Sequence, residues 1–180
     1  MFDSRHYEVR QKVSLGNKYN VYEDGEQILS SAQKKFRLKE DFRFTDPDGD
    51  REVFRVKADS MLDIAAAYDV VDSRTDERVG AVRRKASSSF FVHEYELLDP
   101  DGDVVATVSE DSLLKAFLRR FLTTLIPFAY TIESPTGEDL GAVRGQFSLR
   151  DRYTVDLAGD DLDPRLAVIA TVVIDAIEAN

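Results

Sequence analysis

The sequence lacks cysteine altogether, which excludes disulfide bonds, thiolate metal sites and cysteine nucleophiles. Histidine is nearly absent as well, since His6 and His93 are the only two, too few for a multi-histidine metal centre. No apolar run reaches the roughly 18 residues that a membrane-spanning helix needs. The segment Met1 to Glu8 carries charge and lacks the apolar stretch of a secretory signal. These absences predict a cytoplasmic protein without a cofactor or a metal.

Cations are the minority charge: 24 Lys and Arg stand against 34 Asp and Glu, a formal net charge of -10. A general nucleic-acid binder is excluded, because neutralising phosphates requires clustered Lys and Arg. The apolar fraction of 43% is enough for a core, and 180 residues predict a single domain over 1–180. An acidic excess of this kind suits a salt-rich cytoplasm, so we expect a halophilic source.

A short pattern recurs along the chain: an aromatic residue, any residue and an aliphatic residue, followed by a turn. The six copies begin at Tyr19, Phe42, Tyr68, Tyr95, Tyr130 and Tyr153. Their spacing of roughly 23 to 35 residues is in the range of internal repeats. Within a copy the aromatic and aliphatic residues share a parity, so they face the same side of a strand. With a first strand from Tyr7 to Val13, the repeats predict about twelve strands in antiparallel hairpins between residues 7 and 157.

The sixth copy is followed by an apolar run instead of a return strand. Ten of the twelve residues from Leu166 to Ile177 are apolar. Asp163 can cap a helix and Pro164 suits its first position, which predicts a helix over 163–178. A helix that is apolar nearly all round must be buried on all sides. Closing the sheet removes its edges, and twelve strands enclose more space than their own side chains fill. We therefore predict a mainly β fold, a closed antiparallel barrel enclosing this helix.

The hairpin rhythm is interrupted by a predicted helical insertion over 112–126. On a helix, its Leu and Phe side chains occupy one half of the circumference, and Lys115, Arg119 and Arg120 occupy the other. No acid occurs from residue 112 as far as Ile132. Two interpretations remain open: a helix that covers the barrel wall or closes one mouth, and a basic amphipathic helix lying on a membrane surface.

The segment Tyr7-Glu-Val-Arg-Gln-Lys-Val13-Ser-Leu-Gly-Asn-Lys-Tyr19 resembles the start of the LURP-one-related family, with its lysine, Ser-Leu-Gly and aromatic residue. The repeated hairpins and the final Leu-Ala-Val-Ile-Ala-Thr-Val-Val-Ile-Asp-Ala-Ile are also similar to that family, so the resemblance covers essentially the whole chain. The family's relatives are the Tubby C-terminal domain and the phospholipid scramblases. The resemblance implies a twelve-stranded, Tubby C-terminal-like barrel around a central helix, and the acidic composition indicates a haloarchaeal member.

The chain departs from these relatives in three respects. Its 112–126 segment is longer and more basic than the family pattern implies. Scramblases carry an acidic segment before the last helix, where calcium binding has been proposed, and Asp156, Asp160, Asp161 and Asp163 do not match that pattern. Tubby-like domains bind phosphoinositide head groups through basic surface residues, which have no residue-by-residue match here. The resemblance is therefore specific for fold and weak for function, because related barrels do different things.

Two basic runs are candidates for contact with an anionic head group. Their members are Lys34, Lys35, Arg37 and Lys39, and Arg83, Arg84 and Lys85. Along a strand, Arg83 and Lys85 share one face and Arg84 takes the other. The alternative is a solvated strand surface whose cations pair with neighbouring acids.

Other polar residues have a structural interpretation beside the functional one. The loops 46–50 and 99–103 alternate acids as calcium loops do, but they place glycine at position four instead of six, so hairpin turns are the simpler interpretation. His93 lies near the serines at 87–89 without the glycine elbow of a catalytic serine. Asp175 inside a barrel needs a hydrogen-bonding or charged partner, and it either is structural or lines the lumen.

We expect a non-enzymatic, monomeric barrel that binds an anionic phospholipid or a membrane surface and is peripheral to the membrane. The candidate contacts are Arg83, Arg84, Lys85, Lys115, Arg119 and Arg120. The alternative is a structural or protein–protein interaction module that takes a partner through the helix at 113–126. An enzymatic role lacks any constellation of side chains to support it.

Overall fold

The computed structural model describes residues 1–12, 18–33, 41–58, 67–85, 94–110, 129–146 and 152–178. These residues form twelve strands and one helix. The strands are β1 His6–Lys12, β2 Lys18–Glu23, β3 Glu26–Gln33, β4 Asp41–Thr45, β5 Glu52–Ala58, β6 Ala67–Asp72, β7 Glu77–Arg84, β8 Glu94–Leu98, β9 Val104–Glu110, β10 Ala129–Glu133, β11 Asp139–Gln146 and β12 Arg152–Leu157. The helix α1 is Pro164–Glu178. The predicted insertion at 112–126 lies outside the described residues.

The strands form a closed antiparallel barrel, which confirms the predicted architecture. Each strand pairs with its neighbours in the chain, and β1 pairs with β12 to complete the ring. In that pair Tyr7 is opposite Val155, so the first strand acts as the return strand that the sixth repeat lacks. Ring closure leaves no sheet edge in the barrel wall, which removes the usual site of edge-to-edge aggregation.

The repeated aromatic and aliphatic residues point into the barrel, as their shared parity requires. Tyr19 and Val21 of β2 are completely buried, and so are Phe42 and Phe44 of β4. The residues between them on the strands are mostly partly exposed and polar, and they face the outside. The lumen is thus lined by six copies of one short apolar pattern.

Helix α1 lies in the lumen of the barrel. It contacts β1 and β7, which are six strands apart in a ring of twelve and therefore face each other across the barrel. Every side chain from Leu166 to Ile174 is buried, including the one polar residue among them, Thr171. The Thr171 hydroxyl donates a hydrogen bond to the Ala167 carbonyl at 3.0 Å, which satisfies it within the helix.

The helix begins as its sequence predicts. Asp163 accepts a hydrogen bond from the Arg165 backbone N–H at 2.8 Å, and Pro164 takes the first helical position. Beside this end, Gly80 of β7 brings its backbone close to a neighbouring strand and to the helix. A Cβ atom at Gly80 would lie 2.3 Å from the Leu98 carbonyl oxygen and 2.9 Å from a Leu166 methyl carbon. Only glycine fits this close approach.

Within the described part of the chain, no helix is long and apolar enough to cross a membrane.

Candidate binding site at one mouth of the barrel

The barrel has two mouths of different construction. The turn mouth is formed by the connections at 24–25, 46–51, 73–76, 99–103 and 134–138 and by the chain that enters the helix at 158–163. Every one of these six connections contains an acid. The helix-end mouth lies at the opposite end, where α1 finishes and where each odd-numbered strand ends and the next even-numbered strand begins. The six connections there lie outside the described residues.

The end of the helix is attached to the barrel by hydrogen bonds between tyrosines and carboxylates. Tyr19 donates to one oxygen of Asp175 at 2.6 Å, and Tyr153 donates to the other oxygen. One turn later, Tyr95 donates to Glu178. Asp175 therefore has the partners that its position in the barrel requires. All three tyrosines are aromatic residues of the sequence repeat.

A fourth repeat tyrosine, Tyr130, behaves differently from these three. Its side chain is 9% exposed, and its hydroxyl makes no hydrogen bond to any of the described residues. Burial raises the pKa of the Tyr130 hydroxyl well above its usual value, and nearby carboxylates, Glu178 foremost, raise it further. Burial and the hydrogen bond to Glu178 likewise raise the pKa of Tyr95. Both phenols therefore stay protonated at neutral pH.

A small apolar pocket lies between the helix and strands β9 to β12, next to Tyr130. Its cavity volume is about 30 Å³. That is room for water-sized groups, far below the ~150 Å³ cavity that accepts a benzene ring. The apolar side chains that line it are Val108, Ile132, Val143, Ala167, Ala170 and Ile174. Its polar lining consists of Thr171, Tyr130, Tyr153, Asp175 and Glu178.

Exposed cations lie at the rim of the helix-end mouth, where α1 finishes. They are Lys12, Lys18, Lys57, Arg84 and Arg152. Among the residues that the structure describes, none of the five has an ion-pair partner. Lys12 and Lys18 are directly opposite each other on β1 and β2, and Arg152 begins β12, the strand on the other side of β1. Lys57 is near the end of β5 and Arg84 is at the end of β7, on the other side of the ring. These five residues are called the rim cations below.

The basic run on β7 divides between two environments. Arg83 donates two hydrogen bonds to Glu96, at 2.9 and 2.5 Å, and Lys85 pairs with Glu94 at 3.0 Å. Both pairs lie on the outer wall, where neighbouring acids neutralise the cations. Arg84 is opposite Tyr95, on the other face of the strand, and belongs to the rim cations.

Other sequence candidates lie outside the described residues: Lys115, Arg119 and Arg120, the run from Lys34 to Lys39, and His93 with its neighbouring serines.

The acidic loops act as turns. The Asp99 carboxylate accepts hydrogen bonds from the backbone N–H groups of Asp101, Gly102 and Asp103 at 2.8 to 2.9 Å. In its own turn the Asp46 carboxylate accepts hydrogen bonds from the backbone N–H groups of Asp50 and Arg51, at 2.9 and 3.2 Å. No cluster of His, Asp and Glu suited to a metal ion occurs in the described ranges. The first acid of each loop is thus used to cap the turn.

Sequence reasoning missed the tyrosine cluster and most of the rim cations. Two signals could have found them. The repeats place an aromatic residue at the same depth in each hairpin, and Asp175 and Glu178 are acids near the end of a helix that must be buried, so each needs a hydrogen-bond donor from the barrel wall. Lys12, Lys57 and Arg84 each lie near the end of an odd-numbered strand, and in an antiparallel ring all such ends meet at one mouth.

A family model described as LURP-one-related matches residues 27–175 of the chain. No curated protein and no solved structure matches it.

Proposed function

The chain belongs to the LURP-one-related family, and from that premise we propose that it is a non-catalytic barrel that docks on an anionic membrane surface with its helix-end mouth. The observation that carries this proposal is the group of rim cations. In a chain of net charge -10, five exposed cations without an ion-pair partner among the described residues lie around one mouth. The opposite mouth carries an acid in every connection.

This charge distribution favours one orientation at an anionic surface. Each Lys or Arg near such a surface contributes about 1 kcal/mol, and the effect falls off within a Debye length, ~10 Å at moderate salt. The turn mouth is repelled by the same surface. The molecule as a whole is anionic, so the attraction depends on pointing the rim at the membrane and weakens as salt is added.

The basic amphipathic segment at 112–126 is attached at this same mouth. Strand β9 ends at Glu110 and β10 begins at Ala129, both at the helix-end mouth. In our proposal, Lys115, Arg119 and Arg120 join the rim cations and the Leu and Phe side chains of the segment enter the interfacial region. Arg83 and Lys85 contribute less, because Glu96 and Glu94 neutralise them.

Vesicle flotation tests the proposal directly. The protein should float with vesicles of phosphatidylcholine and phosphatidylserine, stay behind with phosphatidylcholine alone, and be released by salt. The combined variant Lys12→Glu, Lys18→Glu and Arg152→Glu should lose flotation. A matched variant, Arg5→Glu, Arg51→Glu and Arg144→Glu, makes the same charge change at exposed arginines outside the rim and should keep most of it.

Two outcomes contradict membrane docking. One is the absence of flotation at any lipid charge, and the other is an equal loss in the rim variant and its matched control. A protein partner for the 113–126 segment then becomes the better proposal. That alternative predicts a specific protein in a pull-down, lost when Phe117 and Phe121 are changed to Ser and retained by the rim variant.

Binding without catalysis is the form of the proposal that the side chains favour. The sequence has no cysteine and two histidines. His6 lies on the outer wall and pairs with Asp156 at 2.6 Å, away from the pocket. Of the polar residues that line the pocket, Tyr153, Asp175 and Glu178 hold the helix, and none is arranged as a nucleophile with a base.

A further inference from the structure

The pocket beside the helix end contains one polar group that the fold does not use. Four of its five polar side chains have hydrogen bonds within the protein: Thr171 to the Ala167 carbonyl, Tyr153 to Asp175, and Asp175 and Glu178 as acceptors of tyrosine hydroxyls. The fifth, Tyr130, is 91% buried, lines the pocket and has no hydrogen-bond partner among the described residues. The Tyr130 hydroxyl oxygen keeps some access to solvent, so it can bond to a ligand that enters the pocket.

The electrostatic surroundings of Tyr130 are negative. The carboxylates of Glu178, Glu110 and Asp175 all act on its hydroxyl, and the same charges favour any cation that enters the pocket. The rim cations lie outside the pocket, since none of the five belongs to its lining. A ligand that reaches Tyr130 therefore meets carboxylates and phenol oxygens, with aliphatic side chains around its body.

We infer that this pocket binds a primary ammonium group carried on a thin, linear alkyl chain. The ammonium N–H groups donate to the Tyr130 oxygen and to the adjoining carboxylates, and the first methylenes pack on Ala170 and Ile174. Neutral tyrosine accepts a hydrogen bond through its oxygen, and an ammonium group has three N–H groups to donate.

The size of the pocket sets the specificity. With a volume of about 30 Å³, it admits an ammonium group or a methylene but not a ring. A tetramethylammonium ion is wider and has no N–H to donate. A linear alcohol has the right width without the charge. A divalent metal is disfavoured, because the described residues contain no group of acids arranged to hold one.

This inference goes beyond membrane docking and does not rest on it, since a free amine can enter the pocket without a bilayer. Two sources share the chemistry: soluble alkylamines and the ethanolamine head group of a lipid. Separate arms of the experiment distinguish them.

The first arm titrates the protein with n-butylammonium and follows tyrosine fluorescence, which is unmasked because the chain has seven tyrosines and no tryptophan. We expect saturable binding, with n-butanol and tetramethylammonium binding at least about tenfold more weakly, the scale of one hydrogen bond to a charged group. Sodium chloride at the same ionic strength should give no saturable change. Equal responses to sodium or tetramethylammonium would overturn the inference.

The variant Tyr130→Phe removes the hydroxyl alone and breaks no hydrogen bond to a described residue. It should weaken n-butylammonium binding about tenfold and leave the unfolding midpoint unchanged. Tyr22→Phe is the matched control, since Tyr22 is on the outer wall stacked under Arg10, 4.1 Å from its ring centre, and it should bind as the parent does. If Tyr130→Phe binds normally, the site is elsewhere and the inference fails.

A second variant tests the site without changing Tyr130, in case Tyr130→Phe weakens binding by altering the structure of the pocket. Ala170→Val extends a side chain into the pocket and should abolish binding while Tyr130 is still present. Binding retained by Ala170→Val also overturns the inference.

In the last arm, n-butylammonium binding is compared with flotation on vesicles in which ethanolamine lipids replace choline lipids at constant anionic content. An increase in flotation that Tyr130→Phe removes assigns the lipid source, and no increase assigns the soluble amine.

Discussion

The two mouths of the barrel use their polar residues in opposite ways. At the turn mouth, carboxylates are saturated by groups of the protein: Glu23 accepts hydrogen bonds from three consecutive backbone N–H groups, at residues 2–4, and Asp72 holds Arg74 with two. At the helix-end mouth, the rim cations lack ion pairs among the described residues and Tyr130 lacks a hydrogen bond. The described polar groups of the turn mouth are paired within the protein, whereas those of the helix-end mouth include several without such a partner.

Packing follows the same division. Phe2 closes the turn mouth, with its ring centre 5.7 Å from that of Tyr7 and 5.8 Å from that of Phe54. Gly80 lets β7 approach both β8 and the helix on this side. The pocket, in contrast, extends along the helix from Ala167 to Glu178, beside the strands β9 to β12. The small alanine side chains leave the space there that the tight contacts remove at the other mouth.

The largest predicted effect comes from adding a methyl group to the tight contact between β7, β8 and the helix. Gly80→Ala places a methyl group 2.3 Å from the Leu98 carbonyl, and backbone must move to accept it. We expect a loss of about 3 kcal/mol in the free energy of unfolding, measured by chemical denaturation. Gly49→Ala is the control: it has a positive φ of 83° as well, but nothing lies within 4 Å, so about 1 kcal/mol is expected. Equal losses in the two variants would show that backbone strain at positive φ, and not close packing, causes the loss of stability.

A smaller effect is expected from removing a saturated acid at the turn mouth. Asp72→Ala leaves the Arg74 guanidinium without its two-pronged partner, and the Asp72 side chain is only 4% exposed. We expect a loss of about 2 kcal/mol in the free energy of unfolding. Asp160→Ala removes an acid that is 88% exposed and pairs with Arg5, and it should cost less than about 0.5 kcal/mol. Similar losses in the two variants would contradict the view that burial gives the first pair its value.

The architecture was predictable from the sequence because the same strand pattern occurs six times. A single aromatic–aliphatic pattern, such as the one at Tyr95, does not determine a fold. Six copies followed by turns, together with one helix that is apolar on all sides, favour a closed barrel, because that arrangement buries the apolar side chains of the strands and of the helix. Asp163 and Pro164 marked the start of the helix to within a residue. Strand repeats and helix-start residues are local or periodic patterns, so they can be recognised in the sequence without the structure.

The candidate site was not predictable to the same degree because it is made of strand ends that only the closed ring brings together. Lys12 and Arg152 are far apart in sequence and lie on adjacent strands through the pairing of β1 with β12. The unsatisfied hydroxyl of Tyr130 is a property of packing, since its sequence context is the same as that of Tyr95 and Tyr153. The sequence singled out Arg83 and Lys85 by their proximity in the chain, and their neutralisation by Glu96 and Glu94 depends on the β7–β8 register.

The pH dependence of stability should distinguish the carboxylates of the turn mouth from the buried tyrosines. The hydrogen bonds from Arg74 hold the pKa of Asp72 below its ordinary value of 3.8. Burial pushes the pKa of Glu23 upward, but the backbone N–H bonds outweigh it and keep the value below 4.5. Their stabilisation is complete above the unfolded pKa values and is lost as the pH falls through the folded ones. We expect a loss of about 1 kcal/mol between about pH 5 and about pH 3, measured by denaturation, and a smaller slope in Asp72→Ala.

Alkaline conditions act in the opposite sense on the tyrosines. The pKa values of Tyr95 and Tyr130 at the helix-end mouth, and of Tyr7 at the turn mouth, are all raised above 10.0, so the folded protein keeps these phenols protonated when the unfolded chain would release the protons. Their stabilisation is present below pH 10 and is lost as the pH rises above it. A flat profile above pH 10 would contradict the burial of these hydroxyls.

The smallest predicted effect is the one that most sharpens the comparison, because it tests the same chemical change on β8 and on β10, two strands apart in the ring. Tyr95→Phe removes the donor to Glu178 and should lower the free energy of unfolding by about 1 kcal/mol. Tyr130→Phe removes a hydroxyl that no described residue uses, and its effect should be close to zero, because no hydrogen bond to a described residue is lost. If the two variants lose the same stability, Tyr130 has a structural partner after all, and the contrast between the two mouths no longer holds.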